Sequence, residues 1–173
     1  MKEKTKELVA MSVERFRLPR YDEIPAMGLY LEQTTKYISE YLDPIQEGAL
    51  TSSMISNYVK KHLIPSPVKK QYSRDQIAYL FFIAVAKSIL PLDALTDFIQ
   101  VQQKSYDLKT AYNYFAAEME NLLLYTFGVK DTLESVGQED TDEKRLLYSC
   151  IVAFIQKIYL EKCLAAIVQL ECE

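Results

Sequence analysis

The stretch TSSMISNYVKKHLIPSPVKKQYSR, residues Thr51–Arg74, predicts the local fold around which the rest of the chain is arranged. Its first part, Thr51–Lys61, places apolar side chains along one side of a helix and polar ones along the other, and begins with hydroxyl residues that can cap it. The Pro-Ser-Pro segment at 65–67 cannot lie inside a helix. Ser73 stands three residues before Gln76 and directly ahead of an apolar run, which is a capping-box pattern. We therefore predict a helix, a turn broken by proline, and the start of a second helix.

Charge sets this stretch apart from the remainder of the chain. It contains no Asp or Glu, whereas the full 173-residue sequence has a net charge of −4. Residues 1–74 carry 12 Lys and Arg against 9 Asp and Glu, a net charge of +3, and residues 75–173 carry 8 against 15, a net charge of −7. Such asymmetry indicates one half that binds a polyanion and another that solubilises or dimerises. The positive residues of the stretch are Lys60, Lys61, Lys69, Lys70 and Arg74.

The predicted helix carries side chains suited to reading DNA. Asn57, Lys60 and Lys61 are spaced i, i+3 and i+4, so they project from one side of the helix. Asn can pair with adenine and Lys with guanine in the major groove, and Ser52 and Ser53 at the helix start are suited to phosphate contact. The alternative is that these charges only form a solvated surface.

A second basic element follows the prolines. Lys69, Lys70 and Arg74 return positive charge after the turn, where a wing would lie over the DNA backbone. The helix and the wing together predict a protein that binds double-stranded DNA, with Asn57 as the leading candidate for a base contact.

Helical periodicity extends over most of the remaining sequence. Gly48 is placed for a left-handed turn, and Gly128 for the C-terminal cap of a helix. Strand-like character is confined to a short loop or strand at Val68–Tyr72, so the predicted fold class is all-α. Two consecutive domains are predicted, at residues 1–103 and 104–173. Helices are predicted at Lys2–Phe16, Leu29–Leu42, Ser73 to about Ile89, Leu92–Gln102, Asp107–Phe127, and from Asp140 or Thr141 to Leu170.

The last of these helices contains a heptad seam. Its residues recur at alternating steps of four and three, and all are apolar except Glu161. A helix with so much apolar surface must be covered, either by a second copy in a homodimer or by other helices of one monomeric bundle. We expect the homodimer. The seam consists of Leu147, Ile151, Phe154, Ile158, Glu161, Ala165, Val168 and Cys172.

Catalytic and metal chemistry find little support in the sequence. His62 is the only histidine, Gly-rich phosphate loops are absent, and Cys150, Cys163 and Cys172 lack a C-x-x-C spacing. We therefore expect no enzyme activity, no cofactor and no metal site. The acidic run at 139–143 lacks EF-hand spacing, and its carboxylates are better explained by a favourable interaction with a helix N-terminus.

Signals for targeting are absent, and those for an effector are weak. No signal peptide or membrane span is evident and the cysteines suit reduced thiols, so we expect a cytoplasmic protein with no membrane partner. Tyrosine is abundant, with 13 residues and no Trp. A group of tyrosines in and around one predicted helix either packs the core or lines a pocket for a small-molecule effector. This group is Tyr106, Tyr112, Tyr114 and Tyr125.

Several residues of the basic stretch resemble the winged helix-turn-helix of the mercury-resistance-regulator (MerR) type. Tyr58 stands where the recognition helix of that superfamily ends, Leu63–Pro67 matches the turn into its basic wing, and Tyr72–Asp75 matches the start of its next helix. His62 stands where glycine is usual, and the helix at 29–42 is longer than usual. The resemblance implies a winged helix-turn-helix-like N-terminal half packed with a C-terminal helical bundle that ends in a long helix.

A closer resemblance is to an uncharacterised family from low-GC Gram-positive bacteria, catalogued as a domain of unknown function. The segments that resemble it are Leu18–Tyr21, Leu50–Lys60 and Pro67–Tyr72. Some members are regarded as transcriptional regulators, which implies DNA binding here. The DNA-binding residues predicted on both grounds are Ser52, Ser53, Asn57, Lys60, Lys61, Lys69, Lys70, Tyr72 and Arg74.

We therefore expect a cytoplasmic, all-α, homodimeric DNA-binding transcriptional regulator. Thr51–Lys61 is its recognition helix, Pro65–Tyr72 is its wing, and its C-terminal helices form the dimer. The alternatives are a helical protein–protein interaction module, whose basic stretch meets an acidic partner, and a small-molecule sensor that does not bind DNA.

Overall fold

The computed structural model describes residues 2–136 and 141–171, and within them the chain forms seven α-helices and two short strands. The all-α fold class is confirmed, as is the long helix at the C-terminal end. None of the helices in these ranges combines the length and the apolarity that a membrane span requires. The elements are α1 (Glu3–Met11), a 3-10 turn (Tyr21–Glu23), β1 (Leu29–Tyr30), α2 (Leu31–Leu42), α3 (Ser52–Lys60), β2 (Gln71–Tyr72), α4 (Arg74–Ala86), α5 (Leu92–Ser105), α6 (Leu108–Thr126) and α7 (Asp142–Glu171).

Helix α4 lies at the centre of the molecule. Its sequence is apolar on all sides and ten of its 13 residues are buried, because α2, α6 and α7 all pack against it. The predicted capping box is present: the Gln76 N–H donates to the Ser73 Oγ at 3.3 Å, and the Ser73 N–H donates to the Gln76 Oε1 at 2.8 Å. The helix ends at Ala86, before the predicted Ile89, because the Ile89 N–H bonds the Ala86 carbonyl in a tighter turn at 2.9 Å.

A two-stranded antiparallel ribbon joins the N-terminal part of the chain to the wing. Leu29 of β1 is the register partner of Tyr72 of β2, so the end of the predicted Val68–Tyr72 loop or strand is a strand. Gly28 precedes β1, and a Cβ at this position would lie 2.7 Å from the Gln71 Cβ. The close approach of the two strands therefore excludes a side chain at Gly28.

The N-terminal helix packs on the C-terminal one. Helix α1 contacts α7, and Val9, Val13 and Phe16 enter the core there. Helix α1 ends at Met11, earlier than predicted, because the Val13 N–H donates to the Ala10 carbonyl at 3.2 Å and the helical pattern becomes a series of turns.

The segment after α1 is fastened to α6 by charge. The Leu18 N–H donates to the Glu120 carboxylate at 2.8 Å, and the Arg20 guanidinium donates to both of its oxygens, at 2.7 and 2.8 Å. One hydrophobic core extends from α1 to α7 across residue 103. The division into domains at 1–103 and 104–173 stays a prediction.

Helix α7 buries the first half of its heptad seam within the monomer. It begins at Asp142, while the predicted start at Asp140 and the seam residue Cys172 lie outside the described residues. Other helices of the same monomer therefore cover the first half of the seam. That a second copy covers the exposed second half stays a prediction. The buried seam residues are Leu147, Ile151, Phe154 and Ile158, and the exposed ones are Glu161, Ala165 and Val168.

Candidate nucleic-acid interface

Helix α3 presents a polar face to solvent. Thr51 caps it as predicted, since the Thr51 Oγ1 accepts a hydrogen bond from the Met54 N–H at 3.2 Å. Ile55 and Tyr58 anchor the opposite face, with 0% and 6% of their surface exposed. The helix thereby brings four predicted contact residues together on one exposed face, Ser53, Asn57, Lys60 and Lys61.

Ser52 faces α2. Its Oγ lies 3.0 Å from the Thr35 Oγ1 on α2, and its carbonyl accepts a hydrogen bond from the Ser56 Oγ at 2.9 Å. The chain between α2 and α3 turns at Gly48, whose φ of +65° is the predicted left-handed conformation. The Ser52 hydroxyl therefore positions α3 against α2, and Ser53 is the better placed of the two serines for a phosphate.

His62 ends α3 in a conformation that glycine usually adopts. Its φ is +58°, its N–H donates to the Val59 carbonyl at 3.0 Å, and the Leu63 N–H donates to the Tyr58 carbonyl at 2.9 Å. These two bonds form a Schellman motif. Gly128 closes α6 in the same way, with a φ of +71°. At α3 the chain instead places an exposed imidazole directly after Lys60 and Lys61.

The tip of the wing is a two-residue turn formed by Lys69 and Lys70. The Gln71 N–H donates to the Val68 carbonyl at 2.9 Å, and the two lysines have φ values of +50° and +64°. Two consecutive positive φ values are the pattern of a type I′ hairpin turn, which prefers Asn-Gly. Lysine is not favoured in this conformation, so the turn exposes two cations at a conformational cost.

Helix α4 and the ribbon hold the wing from behind. The Gln76 Nε2 donates to the Pro65 carbonyl at 2.8 Å, which ties the start of the wing to the capping box of α4. Tyr72 lies in the ribbon with 4% of its surface exposed, and burial raises the pKa of its hydroxyl. The Tyr72 side chain therefore packs in the core, and its contact with DNA stays a prediction.

Arg74 is also engaged within the fold. Its Nε donates to the Ile24 carbonyl at 2.8 Å, and its guanidinium carbon lies 5.4 Å from the ring centroid of Tyr21. The Asp22 Oδ1 lies 3.8 Å from the Arg74 Nη1. These contacts tie the start of α4 to the 3-10 turn, so Arg74 stabilises the fold, and its DNA contact stays a prediction.

The other four cations of the basic stretch, all lysines, are exposed to solvent. In the part of the chain that the structure describes, none of the four lysines forms an ion pair with a carboxylate. No Asp or Glu lies between residues 51 and 74, so their charges sum to a local positive potential. These lysines are Lys60, Lys61, Lys69 and Lys70.

Two exposed side chains next to the wing are not among the DNA-binding residues predicted from the sequence. Tyr30 is 52% exposed on β1, and its register partner is Gln71 of the wing. Met27 is 76% exposed just ahead of this strand. A strand of two residues has no periodicity of its own, so only the fold shows that Tyr30 lies next to the wing.

Potential metal ligands and thiols were located among residues 2–136 and 141–171. Within the described residues, no three His, Cys, Asp or Glu side chains are grouped to hold a metal ion. Asp142 and Glu143 lie in the first turn of α7, where carboxylates interact favourably with the helix dipole, and residues 139–140 of the same acidic run lie outside the described residues. Cys150 and Cys163 are buried free thiols.

Comparison with known proteins identifies a family. Residues 19–115 match the family model of a domain of unknown function (DUF1836). This range is more than half of the 173 residues and includes α3, the wing and α4. No curated protein and no solved structure matches the chain.

Proposed function

The chain belongs to the DUF1836 family, and we propose that it is a DNA-binding transcriptional regulator that acts as a homodimer in the cytoplasm. Helix α3 enters the major groove and the wing, Pro65–Tyr72, lies on the phosphate backbone, in the manner of a MerR-like winged helix-turn-helix. One observation carries the proposal. The exposed face of α3 and the wing tip hold four lysines that form no ion pair within the described ranges, in a stretch without a carboxylate.

The dimensions of α3 suit a groove. An α-helix with its side chains is about 10–12 Å in diameter, which fits the width of the B-DNA major groove, about 12 Å. Asn57 lies in the middle of the exposed face, between Ser53 on one side and Lys60 and Lys61 on the other. Asn57 is therefore the residue that contacts a base, with adenine as its preferred partner, and the flanking residues contact phosphates.

The wing is rigid enough to position its charges. Its base is fixed by the ribbon and by the Gln76–Pro65 hydrogen bond of 2.8 Å. Its tip is fixed by the hydrogen bond across the turn at Lys69 and Lys70, 2.9 Å long. Groups that are held in place before binding lose little conformational entropy on binding, so both lysines act as phosphate contacts that set the register of α3 on the duplex.

The C-terminal half of α7 supplies a surface for a second copy. Four apolar side chains are 67%, 61%, 40% and 51% exposed at spacings i, i+4, i+7 and i+8, so they lie on one side of the helix. Apolar patches of this kind mark interaction sites in soluble proteins. Two copies joined here present two α3 helices to half-sites about one helical turn apart, or a multiple of it. We call this set the exposed α7 face, and it consists of Leu160, Leu164, Ile167 and Val168.

DNA binding is tested by fluorescence anisotropy with a duplex from upstream of the protein's own gene and with an unrelated duplex. We expect log K to fall with log salt by about 0.9 per phosphate contact, so that Lys69→Ala or Lys70→Ala flattens the slope by about one unit. Asn57→Ala should reduce the preference for the specific duplex and leave the salt slope unchanged. Lys104→Ala, at an exposed position on α5, is the matched control and should change neither quantity.

Several outcomes of this titration oppose the proposal. No binding of either duplex at low salt would exclude DNA as the partner, and no response to the wing substitutions would exclude the wing as a phosphate contact. Competition by poly-glutamate as effective as that by duplex DNA would favour the protein–protein interaction module.

The dimer is tested by sedimentation velocity. Leu160→Glu with Leu164→Glu should yield a monomer and weaken binding to a duplex with two half-sites, because a charge replaces each apolar contact. Leu133→Glu is the control, since Leu133 is 43% exposed outside α7. A parent protein that sediments as a monomer at micromolar concentration contradicts the dimer and leaves the DNA contacts of α3 untouched.

A further inference from the structure

A cleft of about 390 Å³ opens between α5, α6 and α7, on elements separate from α3 and the wing. Small-molecule sites in proteins commonly measure about 300–1,000 Å³. A second, smaller cavity of about 40 Å³ shares part of its lining and reaches toward α4. The residues common to both are Phe98, Gln102, Ala111 and Leu147.

The walls of the cleft are mainly aromatic and aliphatic. Phe98 and Tyr114 face it from α5 and α6, and Leu146 faces it from α7 with 49% of its surface exposed. The Phe98 ring packs 5.0 Å from the ring of Phe82, which lines the smaller cavity. Aromatic walls favour a planar ring, which can stack or pack edge-on against them. Tyr106 and Tyr114, two of the four clustered tyrosines, line the cleft.

Lys144 is the cation of this cleft. Its Nζ lies 5.2 Å from the ring centroid of Tyr114, and within the described residues it forms no ion pair. The neighbouring carboxylate of Glu143 accepts a hydrogen bond from the Ser105 Oγ at 2.6 Å, and this bond holds the pKa of Glu143 below its usual range. Glu143 also lines the cleft and stays ionised, with its carboxylate engaged by Ser105, so the Lys144 ammonium is the cation that the described lining residues offer to an anionic ligand.

The polar groups deeper in the cleft are already engaged. The Gln102 Nε2 donates to the Tyr106 carbonyl at 2.8 Å, and the Gln102 Oε1 accepts from the Tyr79 hydroxyl at 3.2 Å. An apolar ring can occupy this region without leaving these groups unpaired. We propose that the cleft binds a small aromatic carboxylic acid, with the ring between Phe98 and Tyr114 and the carboxylate on Lys144.

This site does not depend on DNA binding, so its test uses the 173-residue chain without DNA. The probes are 1-naphthoate, which carries the carboxylate, and 1-naphthylmethanol, which has the ring without the charge. Isothermal titration calorimetry should show naphthoate binding at least about tenfold more tightly than the alcohol. Lys144→Met should remove this difference by weakening naphthoate about tenfold while the alcohol changes less than about twofold.

Two variants complete the test. Lys104→Met, on α5 and outside the cleft, should leave both affinities unchanged. Ala117→Phe places a ring in the cleft and should weaken both probes, with its thermal unfolding measured to show that it folds. The proposal is overturned if neither probe binds at millimolar concentration, if the two bind equally well, or if Lys144→Met leaves the preference for naphthoate intact.

Discussion

The wing turn allows protein stability and DNA binding to be changed in opposite directions. Lys69→Asn with Lys70→Gly gives the turn the Asn-Gly pair that a type I′ turn favours, because both positions have positive φ. The same substitutions remove two exposed cations from the wing tip. We expect this double variant to unfold at a higher temperature than the parent protein and to bind DNA less tightly.

The gain in stability follows from the backbone. A non-glycine residue in the left-handed region costs on the order of 1 kcal/mol, so the two lysines together cost about 2 kcal/mol. Glycine at position 70 offsets on the order of 0.5–1 kcal/mol of this gain, because it has more freedom in the unfolded chain. The net increase in the free energy of unfolding is about 1 kcal/mol, or about 2–4 °C in Tm for a chain of this length.

The loss of binding follows from counterion release. Each lost phosphate contact lowers the slope of log K against log salt by about 0.9, so the double variant should lose about 1.8 units of slope. Thermal unfolding followed by circular dichroism measures the change in Tm. Anisotropy titrations between about 50 and 300 mM salt measure the slope of log K against log salt. Lys69→Arg with Lys70→Arg keeps both charges and both strained positions, so it should leave Tm and slope near those of the parent.

Each half of the result can refute one step of the reasoning. A lower Tm for the Asn-Gly variant would show that the turn does not have the type I′ geometry. An unchanged salt slope would show that the wing does not touch phosphates, whatever happens to Tm.

Three further substitutions test other parts of the structure. His62→Gly should raise the free energy of unfolding by about 1 kcal/mol, measured by urea titration, because glycine suits the φ of +58°; no gain for glycine over alanine would contradict the Schellman geometry. Glu120→Gln should lower stability by about 2 kcal/mol and Tm by about 4–8 °C, because the Arg20 guanidinium and a backbone N–H lose a charged acceptor; an unchanged Tm would show that the pair contributes nothing. Tyr112→Phe should raise stability by about 1–2 kcal/mol, because the hydroxyl is buried with no hydrogen-bond partner in the described residues. Burial also raises the pKa of Tyr112, so the parent loses stability as pH rises above the unfolded value of about 10, and the Phe variant should lose less between about pH 10 and 11; equal alkaline loss in both would contradict this.

Features set by neighbours a few residues apart could be predicted from the sequence. The caps at Thr51 and Ser73 each bond an N–H three residues further along the chain, so the starts of α3 and α4 are local properties. The left-handed turns at Gly48 and Gly128 depend on the absence of a Cβ at one position. The exposed face of α3 follows from these boundaries and from helical periodicity, and Asn57 falls on that face.

Features set by distant contacts could not be predicted. Tyr72 and Arg74 follow two lysines in the sequence, which made them resemble DNA contacts. Arg74 instead reaches a carbonyl 50 residues earlier, and Tyr72 pairs with a strand of two residues. The sequence of the α7 heptad seam does not show which part of the seam is buried, because one of the helices that pack on α7 is α1, at the other end of the chain.

Helix α4 takes part in both proposed sites. At its start, Gln76 holds the wing through the Pro65 carbonyl. Further along the same helix, Ala78 and Phe82 line the small cavity that continues the α5–α7 cleft. Ten residues of α4 are buried, so the helix cannot shift without repacking its neighbours. A ligand in the cleft and a duplex on the wing therefore both lie against elements that pack on one buried helix, and if either changed the affinity for the other, the effect would be equal in both directions.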